Sequence, residues 1–400
     1  MTNPMQLQGW ISGILRRAVR AALGLAVLLA GVATQSAQGQ TYSVLYSFGG
    51  KHGKWPLAGL VRDGKSNLYG TTANGGASIF GTVFKLDSTG KEKVLYSFCP
   101  GGSPCSDGCY PDTGLVRDKA GNLYGTANCG DYGFGAVFKL DMIGTLTVLY
   151  SFTGGADGNY GDLVRDEAGN LYGTTEGGGA YSFGTVFKLN TTGKYTVLYS
   201  FAGGQDGADP IGGLVLDSKG NLYGTTAAGG GGTYGTVFKV DTIGKETVLY
   251  RFKGPPDGSG PNGDLVRDEK GNFFGTTVSG GDYDNGAIFR LSASGAETVL
   301  HSFTFGADGR NPVAALVRDR AGDFYGTTLN GGISGCNGYG CGVVFKLDTT
   351  GAYTVVHRFT GGTGGASPYA NLILDQAGNL YGTTSTGGDR HAGTVFKLSP

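Results

Sequence analysis

The chain has 400 residues, 31 Lys plus Arg against 31 Asp plus Glu, and 79 glycines. A formal charge of zero with no basic stripe argues against a nucleic-acid partner. The glycines fall at fixed offsets between aromatic and β-branched runs, so they read as turn punctuation in an all-β protein rather than as disorder.

Residues 1–39 read as a signal peptide. Arg16, Arg17 and Arg20 precede an apolar stretch over 21–33, short for a membrane span, and Ala37-Gln38-Gly39 offers a cleavage site. An uncleaved anchor is the alternative. No second apolar span follows, so the expected product is a soluble, monomeric protein that is secreted, extracellular or periplasmic.

From residue 41 to 400 one unit recurs, forming a single domain. Each copy reads Leu-Val-Arg-Asp (strand a), Asn-Leu-Tyr-Gly-Thr-Thr (b), Gly-Thr-Val-Phe-Lys-Leu (c) and Val-Leu-Tyr-Ser-Phe (d). The strand a carboxylates are Asp63, Asp118, Asp166, Asp217, Asp268, Asp319 and Asp375, so the period is about fifty residues. Four short strands per unit predict a seven-bladed β-propeller. A linear β-solenoid is the competitor. The chain opens, after its leader, with a lone d run (Val44-Leu45-Tyr46-Ser47-Phe48) and closes with a, b and c runs. The N-terminal strand is therefore expected to complete the C-terminal blade and close a ring, whereas a solenoid needs polar caps.

The a–b turn reads Asp-x-x-Gly-Asn in five copies; unit one has Ser66 at the Gly position and unit six has Asp323 for Asn. Asp accepts turn N–H groups, and Gly and Asn tolerate positive φ. The b–c loops (from 73–80 to the longer 329–341) and the d–a loops (including 49–57, 99–113 and 361–370) vary. Both emerge on one face of such a blade, so length variation and all six cysteines share that face, the usual binding face of a repeat protein. Cys336 and Cys341 can close on each other. Cys99, Cys105, Cys109 and Cys129 allow three pairings, and their spacings lack the Cys-x-x-Cys pairs of a zinc ribbon.

Candidate chemistry is sparse. Copying into every blade makes the strand a carboxylates turn caps rather than a catalytic pair. The preceding arginines (Arg62, Arg117, Arg165, Arg267, Arg318) cover apolar surface between blades or ring the channel. Asp107, Asp157, Asp206, Asp257 and Asp308 begin Asp-Gly pairs in d–a loops. They read as turns, or as a circle of oxygens for calcium or sugar hydroxyls, although one Asp per loop falls short of calcium's six to eight ligands. His301 and His357 stand at the Tyr position of strand d. His52, Trp55, Asp389, Arg390 and His391 could form one polar and aromatic patch beside the ring closure. No nucleophile elbow, HExxH or phosphate loop is present. Asn190-Thr191-Thr192 is a formal glycosylation sequon.

In its four ordered runs the unit resembles the GloVer tandem repeat of bacterial surface and secreted proteins, over residues 41–400. The order of Tyr-bearing strand and Gly-Gly loop is also similar to kelch blades, without their Trp. The resemblance implies no activity, cofactor or catalytic residue. The expectation is a secreted, non-enzymatic propeller binding a cell-envelope polysaccharide or a protein on its variable face. The alternatives are a glycan hydrolase or lyase using His52 and His391, and a purely structural surface module.

Overall fold

The computed structural model describes residues 40–102, 105–159, 161–332 and 335–400. The signal-peptide reading of 1–39 lies outside the described residues. Strands fill seven antiparallel sheets, each ordered a-b-c-d, one sheet per repeat. The chain is an all-β, seven-bladed propeller. Blade 1 illustrates the unit: a is Val61–Arg62, b Leu68–Thr72, c Thr82–Leu86 and d Glu92–Ser97. In blade 7, strand d is the N-terminal Thr41–Ser47, paired with Thr394–Ser399 from Thr41↔Ser399 to Ser47↔Thr394. In blade 5 the d–a loop adds a strand, Gly258–Pro261, to a lengthened strand b. Elsewhere the same contact is a single bridge, such as Ala208↔Ala228.

The core lies between blades, because each blade leaves an apolar face that only its neighbour can cover. The Phe after strand d of one blade meets the strand c Phe of the next, edge to face. Phe48–Phe84, Phe98–Phe138 and Phe201–Phe238 have centroids 4.9, 5.3 and 5.0 Å apart. Equivalent pairs occur at the other four junctions. The strand b Gly makes room for this ring; a Cβ on Gly70 would sit 2.8 Å from Phe84 Cζ. Every c–d pair carries a bulge that skips one residue of strand d, Leu95 in blade 1 and Leu45 in blade 7. The repeated extra residue adds twist to the outer strand.

A second inter-blade device is made by backbone. The residue before the d–a loop proline donates its N–H to the b–c loop of the preceding blade: Tyr110 to Phe80 O, Asp209 to Phe183 O, and Trp55 to Ala392 O at 2.8 Å across the closure. The proline itself packs on the Gly that opens strand c of that preceding blade, as Pro210 does on Gly184.

Candidate functional site

The strand a carboxylates are turn caps. Asp63 Oδ1 accepts the N–H groups of Lys65 and Asn67, and Oδ2 accepts Asn67 Nδ2 and the Tyr69 hydroxyl. Burial by itself would raise these carboxyls. The hydrogen bonds outweigh it and hold Asp63, Asp118, Asp166, Asp217, Asp268 and Asp375 below the ordinary Asp value. In blade 6, Asp323 replaces the Asn and takes Lys346 Nζ at 2.6 Å. Strand a arginines lie over aromatic rings of the preceding blade, Arg117 over Tyr69, Arg165 over Tyr124 and Arg267 over Tyr223, at 5.6–5.8 Å, while Arg318 lies over Phe324 of its own blade.

The d–a loop carboxylates are also committed locally. Asp157 accepts the Tyr150 hydroxyl, Thr153 N–H and Thr153 hydroxyl. Asp107, Asp206 and Asp257 take the matching Tyr96, Tyr199 and Tyr250 hydroxyls. At Asp308 the Tyr is His301, with Nε2 3.3 Å away. Each carboxylate is thus spent within its own loop. Among the described residues no group of three or more His, Cys, Asp or Glu side chains converges to hold a metal.

Each such loop faces the strand d residue of the next blade that pairs with the last apolar residue of strand c, and this contact comes in kinds. Tyr195 stacks on Tyr150 at 4.2 Å and donates to Asp157 O. Tyr353 on His301, and Tyr42 on His357, repeat the arrangement at 3.9 Å. In two other blades a glutamate takes this position, and Asp206 acts electrostatically on Glu246, as Asp257 does on Glu297. Burial first, and the nearby Asp second, push both glutamates up to about 7. At the closure the loop position belongs to His52, whose Nδ1 lies 2.8 Å from Glu92 Oε2, a side chain only 2% exposed. Arg251 and Lys253 act on Glu246 and Glu297 electrostatically, whereas at the seam His52 contacts Glu92 directly.

A raised carboxyl favours the fold in its protonated form. That stability is complete below the unfolded value near 4.5 and is lost as pH rises through about 7. Glu246→Gln and Glu297→Gln should each add about 1 kcal/mol at pH 8, after allowance for solvent screening of half-buried groups, and nothing at pH 4. Denaturant melts at the two pH values measure this; equal gains at both would reject the protonation argument.

The closure patch is only partly assembled. The Arg390 side chain lies over Gly49, while Trp55 is 46% exposed. His391 sits at φ 52°, a left-handed loop position filled by Ile79, Ser182 and Thr233 in other blades. No hydrogen bond or ring contact among the described residues joins His52 to His391 or to Asp389.

All six cysteines pair: Cys99–Cys105, Cys109–Cys129 and Cys336–Cys341, with Cα separations of 4.8, 5.4 and 5.3 Å. Each bridge ties down variable-face loops, and the second joins a d–a loop to the b–c loop of its own blade.

Two features were missed in the sequence reading. The first is in the channel, a cavity of about 840 Å³ lined by the residues entering strand a. The residue before the strand a Leu is Gly59, Gly114, Asp162, Gly213, Asp264, Ala315 and Asn371 in blade order. The larger side chains alternate with small ones and reach back: Asp162 accepts from Gly114 N–H, Asp264 from Gly213 and Asn371 from Ala315, at 2.6–2.9 Å. Asn371 Nδ2 also donates to Asp264 at 3.1 Å. Burial, then Asp264, pushes Asp162 up to about 7; burial also raises Asp264. The available signal was disagreement among the copies at one position.

The second is a crown of tyrosines on the b–c loops. Tyr132, Tyr181, Tyr283 and Tyr339 stand three residues before the Gly that opens strand c, in blades 2, 3, 5 and 6, and are 62%, 59%, 60% and 61% exposed. The aromatics two residues later lie partly against the next loop, Phe134 over Gly154 and Phe183 over Gly203, and remain 46% and 42% exposed.

Among the described residues no helix is long and apolar enough to cross a membrane. The Gloeobacter/Verrucomicrobia repeat family matches residues 30–165, 156–339 and 247–400. No curated protein matches the chain. Among solved structures, the extracellular domain of a candidate one-component system from B. thetaiotaomicron is similar at 11% identity and TM-score 0.55, over 90% of this chain and 40% of that one. A candidate gluconolactonase matches at 14% identity and TM-score 0.43, covering 90% of this chain and 92% of the other. A luciferin-regenerating enzyme matches at 12% and 0.47, covering 90% and 96%. At 11% identity the first of these likenesses bears on the fold alone.

Proposed function

The chain belongs to the Gloeobacter/Verrucomicrobia repeat family, and from that premise we propose that it is a non-enzymatic binding propeller whose ligand, a polysaccharide or a protein, lies across the variable face. The observation that carries the reading is the coincidence on one face of the variable loops, three disulfides and the exposed crown tyrosines. Bridged loops on a rigid ring suit recognition, because little ordering is left to be done on binding. The same disulfides support a working place outside the cytoplasm. The strand a and d–a loop carboxylates, by contrast, are occupied with turns.

Glycan arrays and pull-downs with the full chain test this. Binding is expected, and it should change when loops 99–113 and 329–341 are exchanged for the short loops of other blades. A chain that binds nothing, with or without the exchange, would instead be a structural module.

A further inference from the structure

We propose that the crown binds a neutral polysaccharide, with successive pyranose rings stacked on Tyr132, Tyr181, Tyr283 and Tyr339. This rests on the binding reading above and names its ligand class.

The fold does not need these four side chains. They occupy one repeat position, and the same position holds Ser78 in blade 1, Gly232 in blade 4 and Arg390 in blade 7. Among the described residues none of the four rings contacts another aromatic ring, and none of the four hydroxyls makes a hydrogen bond. Leaving an aromatic ring in water forgoes the burial that makes such residues valuable in a core. Four copies at one site, each close to 60% exposed, therefore mark a surface kept open for something else.

The chemistry of the surroundings selects the occupant. A protein hot spot is a contiguous, desolvated cluster. Here the tyrosines stand on separate Gly-rich loops, each offering a π-face and a phenolic hydroxyl, with the partly exposed Phe134 and Phe183 two residues from Tyr132 and Tyr181. A pyranose with equatorial hydroxyls presents an apolar C–H face to such a ring and hydroxyls to its edge. Charge narrows the class further. The b–c loops carry Asp131, Glu176, Asp282, Asp284 and Asp389 against Arg390 alone, which repels uronate and phosphate polymers. The tyrosines fall on two pairs of neighbouring blades, 2–3 and 5–6. One long chain can therefore engage several rings at once, and avidity should grow with chain length.

The test is affinity electrophoresis of the full chain through gels containing neutral polymers (β-glucan, xylan, mannan, galactan) or polygalacturonate. Retardation by at least one neutral polymer is expected, with no effect of polygalacturonate. The matching monosaccharide should compete at least a hundredfold more weakly than the polymer. Combined Tyr132→Ala, Tyr181→Ala, Tyr283→Ala and Tyr339→Ala should weaken retardation at least tenfold with an unchanged melting temperature. Retardation by polygalacturonate alone, or full binding by the quadruple variant, would overturn the proposal. Capture of a protein through the loops 99–113 and 329–341, without polysaccharide binding, would overturn it too while leaving the binding reading standing. If nothing binds at all, both fall.

Discussion

Gly184→Ala should destabilise the protein by about 3–5 kcal/mol, whereas Gly193→Ala should cost only about 1 kcal/mol. Both glycines have positive φ, +94° and +82°, so both substitutions meet the left-handed penalty of an L-residue. They differ in surroundings. A Cβ on Gly193 meets nothing within 4 Å, while one on Gly184 would lie 2.5 Å from Pro210 Cδ in the next blade. The backbone carbonyl of Thr175 crowds the same point, and it cannot rotate away as a flexible side chain can. Relief requires strands b and c of the same blade to shift at Thr175 and Glu176, as well as the proline of the next blade to give way. Denaturation of both variants measures the difference, and equal losses would show that the crowding at Gly184 by Thr175, Glu176 and Pro210 is relieved without cost.

Phe48→Ala should cost about 3–5 kcal/mol, the same as Phe201→Ala. Phe48 follows the N-terminal strand, is fully buried and meets Phe84 at 4.9 Å and 67°. Phe201 is its counterpart within the ring, meeting Phe238 at 5.0 Å and 67°. Each truncation opens a cavity that the surrounding sheets cannot fill. Equal losses are expected because the closing junction has the geometry of an internal one. A Phe48→Ala loss below 1 kcal/mol, beside a full loss for Phe201→Ala, would mean that the first strand is not docked in solution. Both comparisons use paired variants, so the size and cooperativity of the ring cancel.

Much of the architecture was legible because it repeats. Period and turn chemistry are local properties: Asp118, Gly121 and Asn122 sit within five residues, and the cap they form is written in that span. The strand order, the blade count and the shared face of the variable loops follow from the same local runs. The bulge at Leu95 was not legible, since Val-Leu-Tyr-Ser-Phe alternates as well as a regular strand does. It becomes visible only against its partner, where Val83 pairs with Tyr96 and Phe84 with Val94.

The candidate sites were less legible, for a related reason. His52 looked like a rare residue in a loop of its own, but alignment in space puts it at the Asp157 and Asp206 position, opposite Glu92 instead of Glu246. The four clustered cysteines were compatible with three pairings until the loops were placed. The crown was hidden because Tyr132 and Phe134 look alike as letters, yet Tyr132 is 62% exposed whereas Phe134, at 46%, lies over Gly154.

What the sequence by itself determined is everything that depends on neighbours along the chain: seven units, four strands each, capped turns and a variable face. Tertiary structure alone decided what depends on neighbours around the ring. Asp264 and Asn371 are 107 residues apart, and closure brings them to 3.1 Å inside the channel. A repeat specifies each blade against the next, but a pair drawn from blades 5 and 7 exists only once curvature has brought the blades round a common axis.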